Sequence, residues 1–192
     1  MSLLREYIRE IINESKLRVF DFDDTLVKSS SRIKVTRSGK EKYITPAEFA
    51  IQGEKPEHEY DYSEFLDVIE PHEIRKVTNI LRNAIRAGAD GRETVILSAR
   101  APGSEASIRN YLEDIGIDTS NITFALLGTA DPGAKKAWIK RRIIDKNVKD
   151  LLFLDDSGKN VTAVQELKDD PDFPTGWFDK FDVRKVSYAA EL

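Results

Sequence analysis

Three short apolar stretches, Leu17–Phe22, Thr94–Leu97 and Leu151–Leu154, constrain this chain more than any other feature. Each is continuous rather than alternating, so the strand it would form must be buried on both faces. Each also ends in polar residues: Asp21, Asp23, Asp24 and Thr25 at the first, Ser98-Ala99-Arg100 at the second, Asp155-Asp156-Ser157 at the third. Helical segments lie between them. Pro71, at a first-turn position, opens a helix toward Gly88 with Ile74, Val77, Leu81 and Ile85 on one side. A second helix runs from about Ser104 to Ile115, a third from the Asp131-Pro132-Gly133 turn to about Lys146, and a fourth over Lys159–Lys168. Ile122–Leu127 reads as a further buried strand and Val183–Ser187 as a last one. Strands alternating with helices predict βαβ units and an α/β fold, with a parallel sheet covered on both faces.

At 192 residues the chain is the size of one domain with an excursion. The excursion is predicted at residues 28–70: Ile33–Arg37 and Lys42–Thr45 flank Ser38-Gly39 as a β-hairpin, and Pro46 opens a short helical piece that Gly53 and Pro56 interrupt. Residues 1–16 carry an apolar helical stripe (Leu3, Leu4, Tyr7, Ile8, Ile11, Ile12), expected to dock on the domain; self-association and lying on a membrane are the alternatives. The mixed charges of its polar face argue against the membrane. This opening stretch carries acids throughout and lacks a small-residue cleavage site, so it is not expected to be a secretory signal. No apolar run approaches a membrane span, and a soluble, cytoplasmic protein is the expectation.

Ligands to an open parallel sheet bind beyond the carboxyl ends of its strands, so the three polar strand ends should converge. Convergence would crowd four or five carboxylates, which repel unless a cation neutralises them. With no cysteine and only His58 and His72, both read as locally packed, that cation must sit among oxygen ligands. Magnesium or calcium is indicated. Taken singly, these residues could instead cap turns and helices.

Val19-Phe20-Asp21-Phe22-Asp23-Asp24-Thr25-Leu26 resembles the first motif of the haloacid dehalogenase-like (HAD) superfamily, Asp-x-Asp-x-Thr/Val after an apolar strand. Thr94–Ser98 looks like the second motif, Lys135 or Lys136 like the third, and Leu152–Asp156 with Asn160 like the fourth, in the family's order over about residues 17–165. Lys135 is the better match to the third, because Trp138 and Ile139 follow it at the spacing the family uses. The resemblance implies a Rossmann-like three-layer sandwich with a minimal cap and a phosphatase that works through an aspartyl-phosphate. Asp21 would be the nucleophile and Asp23 the proton donor and acceptor, which favours phosphoryl transfer over dehalogenation. Mg²⁺ would be held by Asp21, the Asp23 carbonyl and Asp156, with Asp155 and Asn160 assisting directly or from behind. Ser98 and the N–H groups near Ala99 would grip the phosphate, with Thr25 and Lys136 also toward the substrate and the third-motif lysine countering charge. Arg100 would reach a second phosphate or form a surface salt bridge.

The segment 45–70 is too short for a full cap, so a large substrate end is expected. Charge points the same way. The net charge is −4, yet residues 28–42 hold six basic residues against one acid and residues 135–149 seven against one. Flanking the site, these would attract a polyanion such as a nucleic-acid terminus; as separate solvated surfaces they would not. A polynucleotide 3′-phosphatase is the leading expectation. A small-molecule phosphatase such as a nucleotidase, and a catalytically silent phosphate- or nucleic-acid-binding module, are the alternatives.

Overall fold

The computed structural model describes residues 15–86 and 91–187; the apolar stripe of Leu3–Ile12 lies outside them. In chain order, β1 (Ser15–Phe20) leads into a small lobe of β2 (Val27–Lys28), β3 (Ile33–Arg37), β4 (Lys40–Ile44), α1 (Pro46–Gln52), β5 (Glu59–Asp61) and β6 (His72–Glu73). Then follow α2 (Arg75–Arg86), β7 (Arg92–Ser98), α3 (Glu105–Asp114), β8 (Ile122–Leu126), α4 (Pro132–Lys146), β9 (Val148–Asp155), α5 (Gly158–Gln165) and β10 (Lys180–Lys185).

β10, β9, β1, β7 and β8 form, in that spatial order, one parallel sheet. Alternation along its strands sorts the core into two layers. Phe20, Ile96 and Leu154 pack with Val77, Leu81, Ile108 and Leu112 of α2 and α3. Leu17, Val19, Val95, Leu97, Leu151 and Phe153 pack with Ile139, Ile143, Val161 and Val164 of α4 and α5. That double coverage is why the three strands read as unbroken apolar runs, and it makes the domain a Rossmann-like three-layer α/β sandwich. Arg18 is the exception within β1; its guanidinium meets the Asp150 carboxylate at 2.9 and 2.6 Å. Among the described residues no helix is long and apolar enough to cross a membrane.

The hairpin turns at Ser38-Gly39, both at positive φ as the tightest antiparallel turn requires. β5 adds to the other side of β3, giving the order β4-β3-β5. Ile33, Val35 and Ile44 form a small core with Phe49, Tyr60 and Phe65. α1 begins with a capping box, Thr45 accepting from the Glu48 N–H while the Glu48 carboxylate accepts from the Thr45 N–H. The excursion is thus a three-stranded sheet carrying one seven-residue helix.

Two of the departures from the expected boundaries have a plain physical cause. Pro71 does not open a helix: His72–Glu73 pairs with Val27–Lys28, the Ile74 N–H donates to the Leu26 carbonyl at 2.9 Å, and α2 starts only at Arg75. The ladder claims the backbone groups that an earlier helical turn would need. β10 starts at Lys180, three residues before the expected Val183, because it pairs with β9 over its whole length; as an edge strand it accommodates the charges that hid it.

Candidate functional site

The chain runs outward from β1 through β7 to β8, then returns past β1 to β9 and β10. The reversal places a crevice between the carboxyl ends of β1 and β9. Asp21 leaves β1 with its N–H donating to the Leu154 carbonyl at 2.9 Å, and Asp155 ends β9, so the two acids emerge side by side. α4 brings Lys135 between them from below: capped by Asp131 and opened by Pro132, it buries the lysine on its inner face. The Lys135 Nζ lies 2.6 Å from Asp21 Oδ1 and 2.8 Å from Asp155 Oδ2.

The surrounding groups fix these carboxylates. Thr25 Oγ1 donates to Asp21 Oδ2 at 3.2 Å and accepts from the Asp156 N–H at 3.0 Å, joining the loop after β1 to the loop after β9. Asn160 Nδ2 donates to both Asp155 oxygens, at 3.0 and 2.9 Å, and the Ser157 N–H donates to Oδ1 at 2.8 Å. Asp21, Asp155 and Asp156 place carboxylate oxygens within 4.8 Å of one another.

Three acids therefore face one ammonium. Burial pushes the Asp21 carboxyl well above its ordinary range, and Asp155 and Asp156 add to the rise while Lys135 opposes it. Asp156 is pushed up to about 6, first by burial and then by the charges of Asp155 and Asp24. Burial works to lower Lys135, but the Asp21 and Asp155 carboxylates outweigh it and leave the lysine raised. The cluster is short of positive charge. An oxygen-only donor set with that deficit fits Mg²⁺, with Asp21, Asp155 and Asp156 as the side chains able to hold it.

Asp23 stands apart from this group. Both its oxygens accept from Arg100, Nε at 2.8 Å and Nη2 at 2.8 Å. Arg100 is buried, which replaces the alternatives of a surface salt bridge or a second phosphate contact with an internal ion pair. Ser98 is buried too, its hydroxyl accepting from the Arg100 N–H at 3.2 Å, and Ala99 is half-buried at the same turn.

The structure thus brings together Asp21, Thr25, Lys135, Asp155, Asp156 and Asn160, and joins Asp23, Ser98 and Arg100 in an adjoining network. Thr25, expected toward the substrate, is fully buried and bridges two loops. Lys136 points away, to Glu166 at 2.6 Å, which selects Lys135 as the lysine of the cluster. The second basic segment is largely neutralised on the body: Lys140 meets Asp170 and Asp172, Arg142 meets Glu93, and Lys149 lies 3.4 Å over the Trp177 ring. The hairpin has two unlike faces. Arg37, Lys40 and Lys42 share the face of Val35, whereas Lys34, Glu41, Glu59 and Asp61 lie on the other, with Lys34 paired to Glu41 at 2.7 Å. His58 and His72 make local contacts, with the Tyr60 hydroxyl and the Glu70 carbonyl.

Four contributors had no individual role assigned from the sequence, although Asp24 is one of the acids expected to converge. Asp24 adopts φ 54° in the loop after β1 and adds its charge to the Asp156 environment; an acid in a turn right after Asp-x-Asp was its only signal. Ser29 and the backbone carbonyls of Phe65 and Asp67 hold Arg100, and nothing in the sequence marks them. No family model, curated protein or solved structure matches the chain.

Proposed function

We propose that this chain is a Mg²⁺-dependent phosphomonoester hydrolase of the HAD type, acting on a nucleic-acid end. One observation carries the reading: a buried carboxylate, Asp21, held by Lys135 and Thr25 at the sheet's crevice beside two further acids. An Asp21 oxygen attacks phosphorus, the bond to the leaving oxygen breaks, and an aspartyl-phosphate forms. Water then attacks that phosphorus, the Asp21–phosphorus bond breaks, and Asp23 takes the water's proton, which it returns to the leaving oxygen of the next turnover. Ser98 and the N–H groups of its turn would hold phosphate oxygens, and Lys135 counters charge on the phosphoryl group. Magnesium held by Asp21, Asp155 and Asp156, with the Asp23 carbonyl, would neutralise charge on the transferring group.

The nucleic-acid reading is supported by Arg37, Lys40 and Lys42, exposed toward the hairpin tip on the strand face that carries Val35, and by exposed rings at Tyr43, on the opposite face, and Tyr62. A small phosphomonoester is the second reading, favoured by the pairing of the second basic segment. Phosphate release with Mg²⁺ from 3′- and 5′-phosphorylated oligonucleotides, mononucleotides and an aryl phosphate tests both. Preference for one oligonucleotide end is expected, and Asp21→Asn should abolish it. Mononucleotide preference selects the second reading; silence of the wild type on every substrate overturns the hydrolase and leaves a binding module.

A further inference from the structure

A guanidinium has five N–H groups, and Arg100 directs every one at a partner. Nε donates to Asp23 Oδ2 at 2.8 Å, and Nη2 donates to Asp23 Oδ1 at 2.8 Å and to Ser29 Oγ at 3.4 Å. Nη1 donates to the Phe65 carbonyl at 2.8 Å and the Asp67 carbonyl at 2.5 Å. The guanidinium carbon lies 5.3 Å from the ring centroids of both Phe22 and Phe65, and the side chain is 1% exposed. No donor is left over for a substrate phosphate. Asp23 Oδ1 accepts a second bond from Ser29 Oγ at 3.1 Å. With about two lone pairs per carboxylate oxygen, Oδ1 is filled and Oδ2 keeps one open.

We infer that Arg100 is a positioning residue: it holds Asp23 with a single acceptor site open on Oδ2 and ties that orientation to the small-lobe backbone at Phe65–Asp67. The inference rests on the proposed reaction for its chemical step. There the water oxygen bonds to phosphorus, the Asp21–phosphorus bond breaks, and the water's proton goes to Asp23 Oδ2. A swing of Asp23 about the lost fork would remove the base from that step while leaving the attack of Asp21 in place. The same guanidinium makes the lobe sensitive to Asp23, because loosening either end frees donors that the other end needs.

Arg100→Lys keeps the charge but not the planar fork, and the experiment follows it in two ways. During turnover of an aryl phosphate, whose leaving group needs no proton, the variant should accumulate aspartyl-phosphate seen by intact mass. Its kcat should fall about 100-fold while the initial burst and kcat/KM stay within about threefold, because a covalent intermediate that accumulates when the general base is misplaced lowers KM in step with kcat. Burst and turnover falling together, or KM rising with kcat unchanged, would overturn the positioning role. The second readout needs no activity: amide exchange at Phe65 and Val68, whose N–H groups bond to the Tyr62 carbonyl and Ser107 Oγ. Exchange there should quicken at least about tenfold in both Arg100→Lys and Asp23→Asn, as local opening becomes easier, with β1 amides unchanged. Unaltered protection in both variants overturns the coupling. A wild type that forms no aspartyl-phosphate refutes the proposed reaction instead, and the exchange result still decides the link between Asp23 and the lobe.

Discussion

Replacing Asp156 by Asn should stabilise the metal-free protein at neutral pH. Its carboxyl is pushed from an ordinary 3.8 up to about 6, by burial first and then by Asp155 and Asp24. Between those values the folded chain keeps a proton that the unfolded chain has released. Unfolding free energy therefore falls as pH rises through that window, and the loss is complete above it. Two pKa units correspond to about 3 kcal/mol. Asp156 is partly open to water, so screening reduces the cost to about 1–2 kcal/mol. Asparagine keeps the shape and carries no charge, so it removes that cost. Thermal unfolding in EDTA at pH 7 should show the variant melting roughly 2–8 °C higher for a chain of this size. The advantage should vanish near pH 3.5, where both side chains are neutral. Magnesium should reverse the order, since a cation at a hundredfold excess over its Kd adds about 2.7 kcal/mol to the protein that binds it. A difference of the same size at both pH values, or a variant less stable in EDTA at pH 7, would refute the argument from buried like charges.

Lys135→Met should cost about 3–5 kcal/mol at neutral pH, because it strands Asp21 and Asp155 without their shared ammonium; urea unfolding reads it, and a loss under about 1 kcal/mol would contradict the pairing. Glu73 accepts from Thr78 Oγ1 at 2.5 Å and Arg82 Nη1 at 2.7 Å; burial works to raise its carboxyl, but these bonds and the Arg82 charge leave it lowered. That stabilisation is present above the ordinary glutamate value of 4.5 and is lost as pH falls through the lowered one, so Glu73→Gln should lose about 1–2 kcal/mol at pH 7 and draw level with the wild type in acid. A gap that stays constant with pH would count against it. Neutralising Arg37, Lys40 and Lys42 together should flatten the salt dependence of oligonucleotide binding by about three counterions' worth of slope. An unchanged slope would remove the hairpin from the nucleic-acid reading.

What could be read from the sequence was what repeats physically. Continuous apolar runs demand two covered faces, so β1, β7 and β9 were legible, and so was the gathering of Asp21, Asp155 and Asp156 at their carboxyl ends. Lys135 was legible through the apolar residues that follow it, which set the buried face of α4. Charge runs were the weak guide, because composition says nothing about partners: Lys140 and Arg142 look free until Asp170, Asp172 and Glu93 come alongside in the fold. Arg100 was misread for the same reason. Its partners are the Asp23 carboxylate, a serine and two carbonyls, all more than thirty positions away, and the backbone groups among them carry no sequence signal. Pro71 misled because a favourable first-turn residue yields to a two-residue ladder that satisfies the same backbone groups.

The buried cations Lys135 and Arg100 are not interchangeable, and the difference explains where each sits. Lys135 lies 2.6 and 2.8 Å from two carboxylates that would otherwise repel. A compact ammonium on a flexible stem can meet oxygens from two strands at once, and its charge is what the cluster lacks. A planar guanidinium there would satisfy one carboxylate in its fork and leave the other facing its edge. Arg100 follows the end of β7, where the task is geometric: one carboxylate, one hydroxyl and two carbonyls must be held in fixed directions. A point charge there would hold Asp23 but not its orientation, and the Phe65 and Asp67 carbonyls would compete for the same three protons. Neutralising charge and fixing direction are separate requirements, and the chain meets them from separate elements, a helix beneath the sheet and the turn that ends β7.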